Sequence, residues 1–104
     1  MKENDFLITK EKTKSEVKFI LKGRLNAASA DELQFRLDGA IKEEQKNIVL
    51  NMSMVEYISS AGIRVILKTY KDVKREGGKL GIERPSENVK NVLGMTALDE
   101  MLIN

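Results

Sequence analysis

The stretch EYISSAGIRVIL, residues 56–67, decides the fold because the hydrophobic pattern changes its period within it. Before it, residues 47–52 form a compact apolar run of the kind that makes a central strand buried on both faces. After it, apolar residues recur at helical spacing: Ile63, Ile66, Leu67, Tyr70 and Val73. The pattern predicts a strand, a loop over 53–62 and a helix, with Ser59 and Ser60 at the helix start.

The chain before this stretch predicts a β-hairpin. Two short β-prone runs, 6–12 and 17–23, are separated by the polar sequence KTKSE. In the second run, apolar residues at every other position share one face of the strand: Val17, Phe19 and Leu21. Ile20 interrupts the alternation, so we expect the second face to be partly shielded as well.

An amphipathic helix is predicted over residues 28–44. Its apolar residues make one helical stripe: Ala30, Leu33, Leu37, Ala40 and Ile41. Phe35 lies away from that stripe, and we expect it to be partly buried against a neighbouring loop rather than to contact a partner.

The second half of the chain continues the alternation of helix and strand. Glycines 77–78 are expected to end the second helix, and residues 79–82 to form a short strand. Ser86 is a predicted N-cap for a third helix that carries Val89, Val92 and Leu93. The tail TALDEMLIN, residues 96–104, fits either a last strand or a helical turn.

This order predicts an α/β fold. After the N-terminal β-hairpin we expect a mixed, largely parallel sheet with amphipathic helices packed on it. A length of 104 residues suits one domain, and we expect residues 1–104 to form it. No segment approaches the roughly 18 apolar residues of a membrane span, and the N-terminus lacks the apolar core of a secretory signal. A cytoplasmic protein is therefore expected.

Composition excludes several classes of function. The chain has 18 Lys and Arg against 16 Asp and Glu, so its net charge of +2 does not indicate a nucleic-acid partner. It contains no Cys and no His, which removes thiol nucleophiles, disulfides, imidazole bases and most transition-metal sites. We expect no metal, no cofactor and no enzyme activity, and a role in binding or regulation.

Two interpretations of the serine pair remain open from the residues alone. Ser59 or Ser60 can cap the helix by accepting a hydrogen bond from a backbone N–H one turn in, which typically stabilises a helix start by about 1 kcal/mol. Alternatively, a serine at a helix N-terminus is a good position for a phosphate, because free backbone donors and the helix dipole stabilise the anion.

Four segments in series match the motifs of one known family. YISSAGIRVILKTYKDVKREGGKL is similar to the family signature, and LKGRLNAASADEL resembles the segment that leads into its first helix. NIVLNMSMVEYI is similar to the central strand and the loop after it, and ERPSENVKNVLGMTAL to the closing helix. Together these segments cover nearly the whole chain in the family's order, and the chain therefore resembles the STAS domain family, in particular bacterial anti-sigma factor antagonists.

The resemblance implies a partner switch. The unphosphorylated protein would bind an anti-sigma factor that is also a serine kinase, and so release a sigma factor. Phosphorylation of one serine would break the complex, and a serine phosphatase would restore it. Aligning Gly62 with the glycine of the family's Asp-Ser-Ser-Gly signature places the acceptor at Ser60, with Ser59 as the second candidate. The protein itself would be a monomer or a weak homodimer, without membrane contact.

The partner-binding surface implied by the resemblance surrounds that acceptor. Its expected members are Asn26, Ser59, Ser60, Ala61, Gly62 and Arg64. Ser59 stands where the signature has aspartate, Ala61 replaces its second serine, and Asn26 falls where relatives often have an aspartate. Ser60, Ala61 and Gly62, expected to be three exposed small residues at the helix start, would let a partner's backbone approach closely. Phosphate there would add both bulk and charge.

Three alternative functions are weighed against the switch. A nucleotide or small-ligand module has little support, since neither GxxxxGK[ST] nor GxGxxG is present. An enzyme with Ser60 as nucleophile would need a base, for which Glu56 is the nearest carboxylate in sequence. A STAS scaffold in a larger signalling assembly is the third.

The basic residues of the second helix also allow two interpretations. Their side chains are predicted to line its outer face: Arg64, Lys68, Lys71 and Arg75. A solvated face is the expectation for this group. Arg64 is the exception, because it lies one turn from the helix start, near enough to Ser60 to contact a phosphate or a partner's carboxylate.

Overall fold

The fold is a four-stranded mixed sheet with three helices, and the computed structural model describes residues 6–96, with side chains to residue 94. The strands are β1 (Leu7–Lys12), β2 (Val17–Leu25), β3 (Asn47–Ile58) and β4 (Lys79–Glu83), in the order β1-β2-β3-β4. The helices are α1 (Ala27–Lys42), α2 (Ser60–Arg75) and α3 (Glu87–Thr96). The predicted α/β architecture is confirmed.

The predicted hairpin is present, and β1 pairs with β2 in antiparallel fashion. Its turn is held by Thr13, whose Oγ1 accepts a hydrogen bond of 3.1 Å from the Glu16 N–H. The predicted inward face of β2 is fully buried: Val17, Phe19 and Leu21. On the other face Ile20 is half-buried, as its break in the alternation predicted.

Both long helices bury the side chains of one face. In α1 the predicted apolar stripe is buried, except that Ile41 is half-buried. The prediction for Phe35 is wrong, because its side chain is 77% exposed. In α2 the buried face is rotated slightly from the predicted stripe and consists of Gly62, Val65, Ile66, Thr69 and Val73. The helix ends as predicted, with Gly77 at a φ of 81°.

Strand β3 differs most from the sequence-based expectation. The segment predicted as a loop continues the strand as far as Ile58, so only Ser59 separates β3 from α2. Up to residue 52, side chains on one face of β3 are buried and those on the other are half-buried, so the prediction of two buried faces is wrong for one of them. Beyond residue 52 the strand keeps pairing with β2, with a register shift between Ile20 and Lys22 and another between Gly23 and Arg24.

Beyond the end of β4, the start of helix α3 forms hydrogen bonds with the edge of β3. The Ser86 N–H donates to the Met52 carbonyl at 3.1 Å, and Ser86 Oγ donates to the Val55 carbonyl at 2.7 Å. Ser86 is also the N-cap of α3, as predicted, since its Oγ accepts a hydrogen bond from the Val89 N–H at 3.2 Å. Backbone groups of a strand that would otherwise be unpaired are thereby satisfied. Of the tail predicted as residues 96–104, Thr96 is the last residue of α3, and residues 97–104 lie outside the described part of the chain.

Glycine at position 62 allows α2 to begin close to the sheet. A Cβ built there would lie 2.8 Å from Leu25 Cγ and 3.1 Å from Ile58 Cγ1. Both contacts are with side chains at the ends of the paired strands β2 and β3.

No helix among residues 6–96 is long and apolar enough to cross a membrane.

Replacing Gly62 by alanine is therefore expected to destabilise the fold by about 1–3 kcal/mol, as overpacking of a filled core does. Gly39, inside α1, is the matched control, since a Cβ there meets nothing within 4 Å. Gly39→Ala should raise the free energy of unfolding by about 0.5–1 kcal/mol, because glycine is a poor helix former. Urea unfolding of both variants checks this, and a Gly62→Ala protein as stable as wild type would contradict the close packing.

Thr69 offers a second stability test. Its side chain is fully buried in α2, and its Oγ1 has no hydrogen-bond partner among the described residues. Thr69→Val removes the unsatisfied hydroxyl at nearly constant volume and should stabilise the fold by about 1 kcal/mol. Thr69→Ser keeps the hydroxyl, removes a methyl group and should destabilise. Thermal or urea unfolding measures both, and loss of stability in Thr69→Val would mean that the hydroxyl is hydrogen-bonded.

Candidate functional site

The candidate site lies where the two central strands end together. Leu25, the last residue of β2, pairs with Ile58, the last residue of β3. A single residue follows each strand before the next helix, Asn26 before α1 and Ser59 before α2. The Ser59 N–H donates to the Leu25 carbonyl at 2.9 Å. The fold thus brings both predicted segments to one edge of the sheet, where ligands of α/β folds commonly bind.

Asn26 has a structural task at this edge. Its Oδ1 accepts from the Ser29 N–H at 3.1 Å, and Ser29 Oγ accepts from the Asn26 N–H at 2.8 Å. The two residues form a reciprocal capping box at the start of α1. Ser29 is fully buried, and its Oγ also donates to the Arg24 carbonyl at 2.7 Å. Sequence reasoning missed Ser29, although the spacing of three residues from Asn26 is the signal for such a box.

Ser59 is the N-cap of α2. Its Oγ accepts from the Gly62 N–H at 3.2 Å, and its carbonyl accepts from the Ile63 N–H at 3.0 Å. The side chain is half-buried and its backbone is extended, with φ −92° and ψ 171°. Ser59 alone therefore caps the helix, and capping does not need the hydroxyl of Ser60.

Ser60 is in a different position. It is the first residue of α2 and is exposed. Among the residues that the structure describes, its hydroxyl has no hydrogen-bond partner. The start of α2 does not use this hydroxyl, which leaves it accessible to a second protein.

The other predicted members of the surface are not equally accessible. Ala61 is half-buried and packs against the hydrophobic core, while Gly62 is buried. The expectation of three exposed small residues is therefore wrong for Gly62 and only partly correct for Ala61. Glycine is needed at position 62 because α2 packs closely on the strands there, at Leu25 and Ile58.

Glu56, the carboxylate weighed as a base for Ser60, is exposed on β3. Its backbone carbonyl accepts a hydrogen bond of 2.6 Å from Asn88 Nδ2 on α3. Its carboxylate makes no hydrogen bond to Ser60 within the described residues, and the pair needed for a serine nucleophile is not formed.

Positive charge dominates the start of α2. The first turns of α1 and α2 contain no acidic residue, so the dipoles of both helices are uncompensated there. Arg64 is exposed and has no carboxylate partner within residues 6–94. A negative group added at Ser60 would therefore lie at an uncompensated helix N-terminus, four residues before Arg64 in the same helix.

The basic face of α2 divides into two parts. Lys68 Nζ lies 2.8 Å from Asp72 Oδ2, and Arg75 lies 3.2 Å from Asp72 Oδ1. The hydrogen bond from Lys68 holds the pKa of the Asp72 carboxyl below its usual range and raises the pKa of Lys68. Since Lys68 and Arg75 share one carboxylate, the C-terminal half of the face is partly neutralised, whereas Arg64 is not paired with any described side chain.

Two residues that sequence reasoning missed, Arg24 and Tyr57, lie at the same edge, on the sheet face that points away from the buried core. The guanidinium carbon of Arg24 lies 4.4 Å from the centroid of the Tyr57 ring. The two residues are register partners on β2 and β3. Their meeting depends on the register shift between Gly23 and Arg24, for which the sequence carries no clear signal.

Comparison with known proteins places the chain in a family. The model of the STAS domain family matches residues 8–104. BtrV of Bordetella bronchiseptica is 32% identical over 72 residues, which are 69% of this chain and 62% of BtrV, so the match spans less than two thirds of that relative. An anti-sigma F factor antagonist of Paenibacillus polymyxa is 29% identical over 79% of this chain and 71% of its own length. An anti-sigma-B factor antagonist of Bacillus subtilis is 25% identical over 88% and 84%.

Solved structures share the fold. The anti-sigma factor antagonist SpoIIAA in its unphosphorylated form superposes with a TM-score of 0.84 and 19% identity, over 94% of this chain and 86% of that one. The phosphorylated form of Bacillus SpoIIAA gives a TM-score of 0.78 and 18% identity, over 94% and 89%. The match of the family model over nearly the whole chain, together with this fold, shows that the chain belongs to the STAS domain family.

Proposed function

We propose that this protein is an anti-sigma factor antagonist whose activity is switched by phosphorylation of Ser60. In the unphosphorylated form it binds an anti-sigma factor that is also a serine kinase, and thereby releases a sigma factor. Phosphorylation breaks that complex, and a serine phosphatase restores it. The observation that carries the proposal is the division between two adjacent serines: Ser59 caps α2, while the Ser60 hydroxyl is exposed and unbound within the described residues.

The names of the relatives support this role. Two of them are an anti-sigma F factor antagonist and an anti-sigma-B factor antagonist. SpoIIAA has this fold in both its unphosphorylated and its phosphorylated forms. A fold that persists in both forms supports a switch that acts at the surface and does not unfold the domain.

The chemistry at Ser60 is a phosphoryl transfer. Ser60 Oγ attacks the γ-phosphorus of ATP held by the kinase, the bond to the ADP oxygen breaks, and the hydroxyl proton leaves with the kinase's base. The product carries roughly −1.5 to −2 charges at pH 7. Free backbone donors at the start of α2 and the unpaired Arg64 stabilise this charge in the separated protein.

In the complex the same phosphate is unfavourable. A partner seated over the exposed Ser60 contacts a neutral hydroxyl, and a phosphate in that place would be desolvated at the interface. One uncompensated buried charge costs several kcal/mol, which corresponds to a loss of affinity of about two orders of magnitude or more. A single modified side chain is therefore sufficient to separate the two proteins.

The remaining features of the proposal follow from this role. We assign residues 1–104 to one STAS domain that works in the cytoplasm as a monomer or weak homodimer. It binds protein partners, without catalysing a reaction, holding a cofactor or contacting nucleic acid or membrane directly. Asn26, Ser59, Ala61 and Arg64 line the partner surface beside Ser60, and buried Gly62 supports that surface by letting α2 pack closely on the strands.

Stability and phosphorylation should respond to different serines. Ser59→Ala removes the N-cap and is expected to lower the free energy of unfolding by about 1 kcal/mol, while Ser60→Ala leaves stability within about 0.5 kcal/mol of wild type. With the kinase and radiolabelled ATP, Ser60→Ala should take up no phosphate and Ser59→Ala should still be labelled. Labelling of Ser60→Ala at the wild-type level would move the acceptor to another residue.

Partner binding should depend on charge at Ser60. Ser60→Asp is expected to bind the anti-sigma factor at least about 100-fold more weakly than wild type, a loss of about 2.7 kcal/mol. Ser60→Ala should bind like wild type. Ser15→Asp is the matched control, because Ser15 is an exposed serine in the hairpin turn at the other end of β2. Isothermal titration with the purified partner measures all four, and equal affinities for wild type and Ser60→Asp would exclude the switch.

A further inference from the structure

The face of the sheet opposite the buried core carries an exposed cluster near its carboxyl edge. Five side chains from three adjacent strands form it, and together they are called the open-face patch: Leu7, Lys22, Arg24, Met54 and Tyr57. On β2 the two basic residues alternate with buried Leu21, Gly23 and Leu25, which sets them on the face away from the core.

Apolar exposure is concentrated in this patch. Among residues 6–94 four large hydrophobic side chains are exposed, and three of them belong to the patch: Leu7 at 61%, Met54 at 46% and Tyr57 at 40%. The fourth, Phe35, lies on α1. Leu7, Lys22 and Met54 are consecutive register partners across β1, β2 and β3, so the apolar side chains flank a lysine in one row. Contiguous exposed apolar surface of this kind marks interaction sites.

Among residues 6–94, the basic groups of the patch have no negative partner. Neither Lys22 nor Arg24 pairs with a carboxylate of the described residues, and the Arg24 guanidinium rests on the Tyr57 ring. Lower on the same face the charges are paired: Lys18 Nζ lies 3.0 Å from Glu83 Oε2, and Asn51 Nδ2 donates to the same carboxylate oxygen at 3.3 Å. The face is therefore neutralised toward its amino end and positive and apolar toward its carboxyl end.

This combination selects the chemistry of what binds there. Two unpaired cations between exposed apolar side chains complement a protein segment that carries carboxylates and apolar side chains together. A second copy in a two-fold dimer would set the same cations against each other. An anionic membrane surface is recognised by clusters of about four to eight basic residues, whereas the patch has two.

The patch reaches the edge at which Ser60 lies. Tyr57 precedes Ser60 by three residues and Arg24 precedes Asn26 by two. A stable protein interface covers about 800 Å² on each partner, far more than one serine and its neighbours provide. The exposed apolar surface needed to complete such an interface is found on the open face.

We propose that the protein partner released by phosphorylation of Ser60 also docks on the open-face patch, through an acidic segment that carries apolar side chains. This inference rests on the proposed function and extends it. Ser60 makes binding conditional, and the patch supplies much of the affinity and the attraction between opposite charges. The Arg24–Tyr57 pair is its centre, because a stacked guanidinium presents a carboxylate fork on a rigid aromatic base.

The test measures binding of the purified kinase-type anti-sigma factor by isothermal titration at two salt concentrations. Arg24→Glu and Tyr57→Ala are expected to weaken binding by about 10-fold or more each, as losses at the centre of an interface do. Lys14→Glu is the matched control, since Lys14 is an exposed lysine in the hairpin turn at the opposite end of the sheet. It should bind within about twofold of wild type, and Arg24→Glu should have the smaller salt dependence. Circular dichroism and thermal unfolding verify that each variant is folded.

Including Ser60→Asp in the same series separates the two proposals. If Ser60→Asp loses binding while Arg24→Glu and Tyr57→Ala bind like wild type, the switch stands and docking on the patch is wrong. If Arg24→Glu and Tyr57→Ala lose binding while Ser60→Asp does not, the patch stands and the switch at Ser60 is wrong. If Lys14→Glu weakened binding as much as Arg24→Glu does, the loss of affinity would come from the change in net charge, and docking on the patch would be wrong. Binding to phosphatidylserine vesicles, or dimerisation abolished by Tyr57→Ala without any effect on the partner, would assign the surface to lipid or to a second copy instead.

Discussion

The parallel pairing of β2 with β3, which continues to the last residue of each strand, is the constraint on which the rest of the structure depends. It brings Leu25 beside Ile58 and allows the Ser59 N–H to reach the Leu25 carbonyl at 2.9 Å. Because both strands end at one level, the helices that follow them start at the same edge with their free N–H groups and dipoles together. The local polarity of this edge is therefore a consequence of strand register.

Close packing under the edge makes a surface switch possible. Gly62 lets α2 lie directly on Leu25 and Ile58, and Ser59 Oγ accepts the hydrogen bond from the Gly62 N–H that caps the helix. Once capping and packing are met by these residues, the hydroxyl of Ser60 is not required for stability. A side chain that the fold does not need can be modified without unfolding the domain, which is what reversible phosphorylation requires.

The two faces of the sheet have different tasks in this arrangement. The buried face builds the core under α1 and α2, and the open face keeps apolar and basic side chains at the surface near Ser60. The second half of β3 contributes to both faces. It extends the strand beyond the end of β4, and its register shifts place Met54 and Tyr57 on the open face. Helix α3 satisfies the edge of that extension through Ser86, so the strand can project without unpaired backbone groups.

By itself the sequence determined the hairpin, the three helices, the succession of strands and helices that makes an α/β fold and the place of the serine pair at a helix start, because periodicity, capping residues and a family signature are local properties. Tertiary structure decided the rest. That SMVEYI is strand rather than loop depends on pairing with β2, and the tasks of Ser59 and Ser60 separate only when helix phase relative to the sheet is known. Phe35 is exposed because no neighbouring element covers it among the described residues. The meeting of Arg24 with Tyr57 arises from bulged register between segments more than 30 residues apart, an interaction that no local pattern encodes.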